Sequence, residues 1–324
     1  MKNAWTNGIM GIIVGDALGN PVQFMSREKV RRRGLVAGME AGGVFHMPEG
    51  CWTDDGSMTL ATLDSILATG KIDPDDIMEK FIEWDQEGKY TPTGKPYDQG
   101  ITCKDAMYAY RKGKKWDHCG RTGENANGNG ALMRIMPVCL FAAYQQFNGG
   151  MQDFDAVIKA HHVTLMTHNH LRACTASGLY YFMCRELLRE NGGGSLREVL
   201  QKGLDAGVQF YRAHNMDDEM GYFSRILDLE ALAKIPSEQI RSSGYVIHTI
   251  EAVLWSLVTE AGLPGSLLKS VNLGDDADTV GAVAGGLAGL YYGYEAVPED
   301  WKTALKKRDY LEKFCLRADQ AFPI

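Results

Sequence analysis

Along most of this chain apolar residues recur at intervals of three and four, the spacing that gives a helix one buried face. Residues 5–19 form such a run, closing at Gly15, Asp16 and Gly19 before Asn20-Pro21. A second follows Trp52-Thr53-Asp54-Asp55-Gly56, with Leu60, Leu63 and Leu67 on one face and Gly70 placed as a C-terminal cap. Pro74 in an acidic first turn opens a helix over 73–86, and another is expected over 102–112. Residues 153–190 carry two helical patterns joined at Thr167-His168-Asn169-His170, and two more are expected between 195 and 233. After Ser242-Ser243-Gly244-Tyr245, one face collects Val246, Ile250, Val253, Leu254 and Leu257. A short helix leads into the acidic turn at 275, and residues 299–319 close the chain. Residues 27–52 are basic, then glycine-rich, without period, and read as a long loop. Runs of period two rich in β-branched residues are missing, so the pattern predicts an all-α protein of about a dozen helices. With 324 residues and 45 % hydrophobic content the chain can bury one large core, and a single domain over 1–324 is expected.

The stretch 272–293, NLGDDADTVGAVAGGLAGLYYG, stands apart. Gly281, Gly285, Gly289 and Gly293 recur every four residues on one helix face, beside Val280, Val283, Leu287 and Leu290. Each interior glycine costs a helix roughly 1 kcal/mol relative to alanine. Four on one face imply that a neighbouring helix or a ligand needs the backbone at close range. A membrane span is excluded by the length of the apolar run, well short of the roughly 20 residues required, and by the acids at its start.

Those acids carry the candidate chemistry. Asp276, Asp278 and Thr279 precede one helix, and Thr53, Asp54 and Asp55 precede another more than 200 residues away. Capping and solubility would account for either cluster alone. Two such clusters, each at a helix N-terminus, offer four carboxylates and two hydroxyls if the fold brings them together. That is a hard-oxygen donor set for Mg²⁺ or Mn²⁺, too acidic to leave without cations, and two ions about 3.5–4 Å apart would suit it. Asp16, in apolar, glycine-lined surroundings, needs a partner of its own. The loop 125–130, NANGNG, is read either as an anion-binding nest whose Gly and Asn adopt positive φ at a helix start, or as an ordinary connection. His161, His162, His168 and His170 match no common zinc spacing.

Charge and cysteine content narrow the class. The chain has 34 basic and 41 acidic residues, a net charge of −7, and no dense basic run, which argues against phosphate-neutralising nucleic-acid binding. Seven cysteines without paired spacing point to reduced thiols in a cytoplasm. The short apolar run near the N-terminus ends at Asp16 and is read as a mature helix rather than a signal peptide.

Taken together, GDALGNPVQF at 15, WTDDGSMTLA at 52, YDQG at 97, NGNGALMRIMP at 127, THNH at 167, SSGYV at 242 and the final acidic block resemble the ADP-ribosylglycohydrolase family over nearly the whole chain. The resemblance implies a compact multi-helix orthogonal bundle of that type. It assigns Thr53, Asp54, Asp55, Asp276, Asp278 and Thr279 to two divalent cations, Mg²⁺ or Mn²⁺. The loop of Asn127, Gly128, Asn129 and Gly130 would cradle the diphosphate of ADP-ribose, with His168 and Tyr245 along the nucleotide. Asp16 and Asp98 fall in family motifs and take supporting roles, Asp98 on the substrate side, and Asp275 is a non-ligand neighbour. The implied activity is cleavage of the bond between ADP-ribose and an acceptor by metal-activated water, with Asp55 and Asp276 among the catalytic residues. The acceptor (a protein side chain, a nucleobase or a small molecule) is left open.

One position departs from the family pattern. Gln23 stands where relatives usually carry a glutamate near the metals, and a neutral amide cannot serve as an acid or base. The alternative is therefore a non-catalytic or altered-specificity ADP-ribose-binding relative. Prenyl-diphosphate chemistry is disfavoured because Thr279 ends what would be a DDxxD motif. A haloacid-dehalogenase-type phosphatase is disfavoured because its nucleophile motif should lie near the start of a domain.

Overall fold

The computed structural model describes residues 3–189 and 193–324. Among them no β-strand forms; three isolated bridges join loops. The all-α reading is correct, and most elements begin and end where the sequence placed them.

Helix α1 (Ala4–Gly19) is buried along nearly its whole length. The basic stretch expected as loop contains a helix, α2 (Arg27–Arg33), started by the Ser26 side chain accepting from the Lys29 amide. Acidic α3 (Asp54–Thr69) is capped by Thr53 and stopped by Gly70 at φ 65°. Next come α4 (Pro74–Glu87), α5 (Ile101–Arg111) and α6 (Met136–Phe147). Helices α7 (Asp153–Leu165) and α8 (Leu171–Arg189) flank the histidine-rich joint. A capping box at Ser195 opens the strongly amphipathic α9 (Leu196–Ala213), followed by α10 (Leu229–Ala233). Then follow α11 (Val246–Thr259), α12 (Leu263–Val271) and α13 (Ala277–Tyr292). The closing segment is broken between α14 (Glu299–Ala304) and α15 (Arg308–Ala321), where Lys307 adopts φ 50°.

The glycine ladder has the cause its spacing implied. Gly281 and Gly285 of α13 meet the backbone carbonyls of Gly15 and Gly11 of α1, and Gly289 meets that of Asn7. The reverse faces of Gly11 and Gly15 are equally close to α13 carbonyls, so a methyl at any of these positions would overlap main-chain atoms. Gly293 has another role: it ends the helix at φ 82°. Two helices from opposite ends of the chain thus run in backbone contact through the core. Gly19, at the end of α1, packs against Ala277 and Asp278, at the start of α13.

This pair also positions the second acidic cluster. Asp16 is fully buried on α1, and its carboxylate accepts from the amides of Thr53 at 2.9 Å and Gly56 at 2.8 Å. It therefore holds the first turn of α3 beside the first turn of α13. Burial pushes Asp16 up to about 7, against the opposing pull of those two amides.

Candidate active site

Both acidic clusters, the 97–103 segment and the asparagine–glycine loop open onto one cavity of about 640 Å³. Thr53 sits beneath it, its hydroxyl 3.3 Å from both Asp55 Oδ2 and Asp278 Oδ2. The Thr279 hydroxyl lies 3.4 Å from Asp55 Oδ2. Asp276 begins α13 without capping it; its carboxylate instead accepts from Asn129 Nδ2, whose amide also reaches Thr249.

Asp54, Asp55 and Asp278 are buried carboxylates pushed well above the usual range, first by burial and then by neighbouring carboxylates: Asp98 and Asp55 act on Asp54, Asp16 and Asp276 on Asp55, and Asp55 and Asp276 on Asp278. Burial also raises Asp276, to about 6, against the Asn129 hydrogen bond. Such a group of like charges is costly as it stands. One oxygen each of Asp55 and Asp278, their Oδ1 atoms, is buried without a hydrogen-bond partner. Among the described residues no three His, Cys, Asp or Glu side chains converge closely enough to enclose a metal by themselves. The donor set is instead mixed, since two threonine hydroxyls lie between the carboxylates. Unpartnered buried oxygens of this kind fit hard divalent cations.

Gln23 also lines the cavity, tied to the acidic cluster through Asp98. The turns at 22–25 and 273–276 interlock: Phe24 N donates to the Asp275 carbonyl at 2.6 Å and Asp275 N to the Met25 carbonyl at 2.7 Å. Phe24 and Asp275 both take left-handed backbone, at φ 61° and 54°. The Gln23 amide nitrogen donates to Asp98 Oδ2 at 2.5 Å, and its carbonyl oxygen has no partner. Asp98 is itself left-handed at φ 56°. Burial raises its carboxyl while the Gln23 amide opposes the shift.

The asparagine–glycine loop is built differently from the nest expected. None of residues 124–130 has positive φ, and a 3₁₀ turn, Leu132–Arg134, intervenes before α6. Asn129 N–H is committed to the Gly244 carbonyl at 3.0 Å, and the Asn127 carbonyl accepts from Val246 N–H at 2.9 Å. Gly128 and Gly130 leave room for a neighbour: a Cβ would stand only 3.1 Å from His168 Nε2 at the first and 2.9 Å from His168 Cε1 at the second.

Gly128, Asn129, Gly130 and His168 line the cavity, as do Gln23 and Asp98. Asn127 and Tyr245 lie outside its lining; Tyr245 accepts at its hydroxyl from Arg172 at 3.0 Å. Of the other histidines, His161 bonds the Tyr211 hydroxyl and His162 packs on Trp116. His170 lies 3.7 Å from Glu124. The sequence reading missed Phe24, Ile101, Cys103, Met133, Ser243 and Asp275 as wall residues. Phe24, Met133, Ser243 and Asp275 lie inside motifs that had been singled out, and Ile101 and Cys103 closely follow YDQG, which was the available signal.

Comparison with known proteins decides the family. The family model described as ADP-ribosylglycohydrolase matches residues 2–323. The chain belongs to the ADP-ribosylglycohydrolase family. It is 30 % identical to the ADP-ribosylarginine hydrolase Tri1 of Serratia proteamaculans, over 97 % of this chain and 77 % of the relative. It is also 30 % identical to the ADP-ribosyl-[dinitrogen reductase] glycohydrolase of Rhodospirillum rubrum, over 91 % of this chain and 88 % of that one. A solved structure titled ADP-ribosylglycohydrolase-related protein complex superposes with a TM-score of 0.78 at 30 % identity, covering 98 % of both chains. The glycohydrolase fold thus extends over the full bundle.

Proposed function

We propose that this member of the family hydrolyses the glycosidic bond between ADP-ribose and an acceptor, with two divalent cations in the acidic site. The observation that supports this reading best is the pair of unpartnered buried oxygens on Asp55 and Asp278, at a cavity lined by residues of all seven family motifs. Thr53, Asp54, Asp55, Asp276, Asp278 and Thr279 would hold Mg²⁺ or Mn²⁺. Cations there would lower the pKa of water and bind ribose hydroxyls.

The chain's own groups divide the remaining work. The loop at Gly128, Asn129 and Gly130, with His168, would hold the diphosphate, so that remote binding energy orients the anomeric carbon. In the reaction the bond from that carbon to the acceptor breaks and a bond to water oxygen forms. One water proton ends on the acceptor's linking atom. Gln23 cannot take that proton. Asp98, its hydrogen-bond partner, is the neighbouring carboxylate whose raised pKa suits proton transfer.

Because the Serratia relative is named for ADP-ribosylarginine, arginine is the acceptor to test first. The experiment is release of ADP-ribose from arginine-, serine- and nucleobase-linked substrates in Mn²⁺. Release is expected from at least one. ADP-ribose binding without release from any would favour the non-catalytic alternative, which the neutral Gln23 keeps open.

A further inference from the structure

Arg134 is a buried charge that the reaction above does not use. It is 0 % exposed, and among the described residues no carboxylate pairs with it. Its guanidinium lies over the Phe81 ring at 4.6 Å. It donates to the Gly130 carbonyl at 3.1 Å, to the Val163 carbonyl at 3.4 Å and to the Thr167 hydroxyl at 2.8 Å. An isolated interior cation is expensive, so its contacts need a reason.

The Thr167 contact leads back to the cavity. Thr167 is fully buried, and its oxygen lies 2.8 Å from His168 Nδ1. Guanidinium can only donate, so Arg134 occupies one lone pair of that oxygen. The hydroxyl hydrogen must then find an acceptor. Within reach are the imidazole nitrogen and the Cys103 thiol, which also borders Thr167, and sulfur is a weak acceptor. Thr167 therefore donates to Nδ1, which carries no hydrogen, and the ring hydrogen sits on Nε2. The Nε2–Cε1 edge is the one lying against Gly128 and Gly130 on the cavity wall.

We propose that Arg134 and Thr167 are positioning residues that lock His168 as the Nε2–H tautomer, a neutral donor to an oxygen of the bound ADP-ribosyl group. The donor role rests on the function proposed above; the tautomer lock does not. Burial and then the nearby Arg134 charge lower the His168 pKa to about 3, which keeps the ring neutral at physiological pH. Because the ring is neutral, its Nε2–H holds the ligand as a hydrogen-bond donor and does not act as an acid during turnover.

Nitrogen-15 NMR of histidine-labelled protein tests both parts. Free wild-type protein should show one His168 tautomer, protonated at Nε2, and ADP-ribose should shift that N–H. Thr167→Val should give mixed tautomers and bind ADP-ribose about ten-fold more weakly, and Thr167→Ser should restore both readings. A wild-type ring protonated at Nδ1, or a single Nε2–H tautomer retained in Thr167→Val, overturns the lock. Wild-type protein that binds ADP-ribose without moving the Nε2–H overturns only the donor role. Wild-type protein that binds no ADP-ribose overturns the proposed function and the donor role, while the tautomer of the free protein still decides the lock.

Discussion

Asp55 and Asp278 meet through the hydroxyl of Thr53, and each keeps an oxygen without a partner. Asp55→Ala and Asp278→Ala should each abolish tight Mn²⁺ binding, measured by calorimetry. Without metal, each variant should melt at or above the wild-type temperature, because one of several mutually repelling carboxylates has gone. Wild-type affinity in either variant would remove that residue from the donor set. Position 23 has its own signature. Gln23→Glu would replace the amide donor to Asp98 with a carboxylate, leaving two like charges in contact in a buried wall. The metal-free variant should lose about 1–3 kcal/mol, and Mn²⁺ should raise its melting temperature more than that of wild type. An unchanged metal-free melting temperature would mean that the Gln23–Asp98 bond contributes nothing.

At the scale of elements, the α1–α13 seam has no room for a methyl. Gly285→Ala should cost at least about 1–3 kcal/mol by overpacking, whereas Gly221→Ala, with no heavy atom near its Cβ position, should stay within about 0.5 kcal/mol. Denaturant melts of the two compare them directly, and equal losses would refute the seam. This seam was legible from the four-residue glycine spacing, and both acidic helix starts from their Thr and Asp residues, because local periodicity and capping write themselves into neighbouring positions. Helix α2 was not legible, since five of its seven residues are basic and only Val30 is buried. The Gln23–Asp98 bond and the Arg134–Thr167–His168 chain were also missed. They join residues distant in sequence or oriented only by packing, and no period marks them. The one trace of the latter was an arginine inside the apolar run at 131–144.

For the whole molecule, the buried acids tie stability to pH. Asp16 rises from 3.8 to about 7 and Asp276 to about 6 on folding. Between these values and the unfolded ones these two carboxyls bind more protons in the native state, so their share of metal-free stability falls as pH rises from about 4 to about 7, while His161 and His168, lowered to about 4 and about 3, oppose that fall only below about 6.5. Cations compete with those protons and should stabilise more at higher pH. Melting curves at pH 5 and pH 8, in chelator or Mn²⁺, should therefore show a lower chelated midpoint and a larger Mn²⁺ increment at pH 8. A chelated protein more stable at pH 8, with equal increments at both pH values, would contradict this.

The backbone seam between α1 and α13 also sets an order of events during synthesis. The first helix leaves the ribosome with its glycine face bare, and its partner follows more than 250 residues later. At roughly 5–20 residues per second, that interval lasts at least about ten seconds. Through most of it Asp16 and the Thr53–Asp55 segment exist without Asp276, Asp278 or Thr279. Three of the six proposed donors, Asp276, Asp278 and Thr279, are made only with the start of α13, so under the proposed function the nascent chain cannot assemble its cation site before that helix emerges.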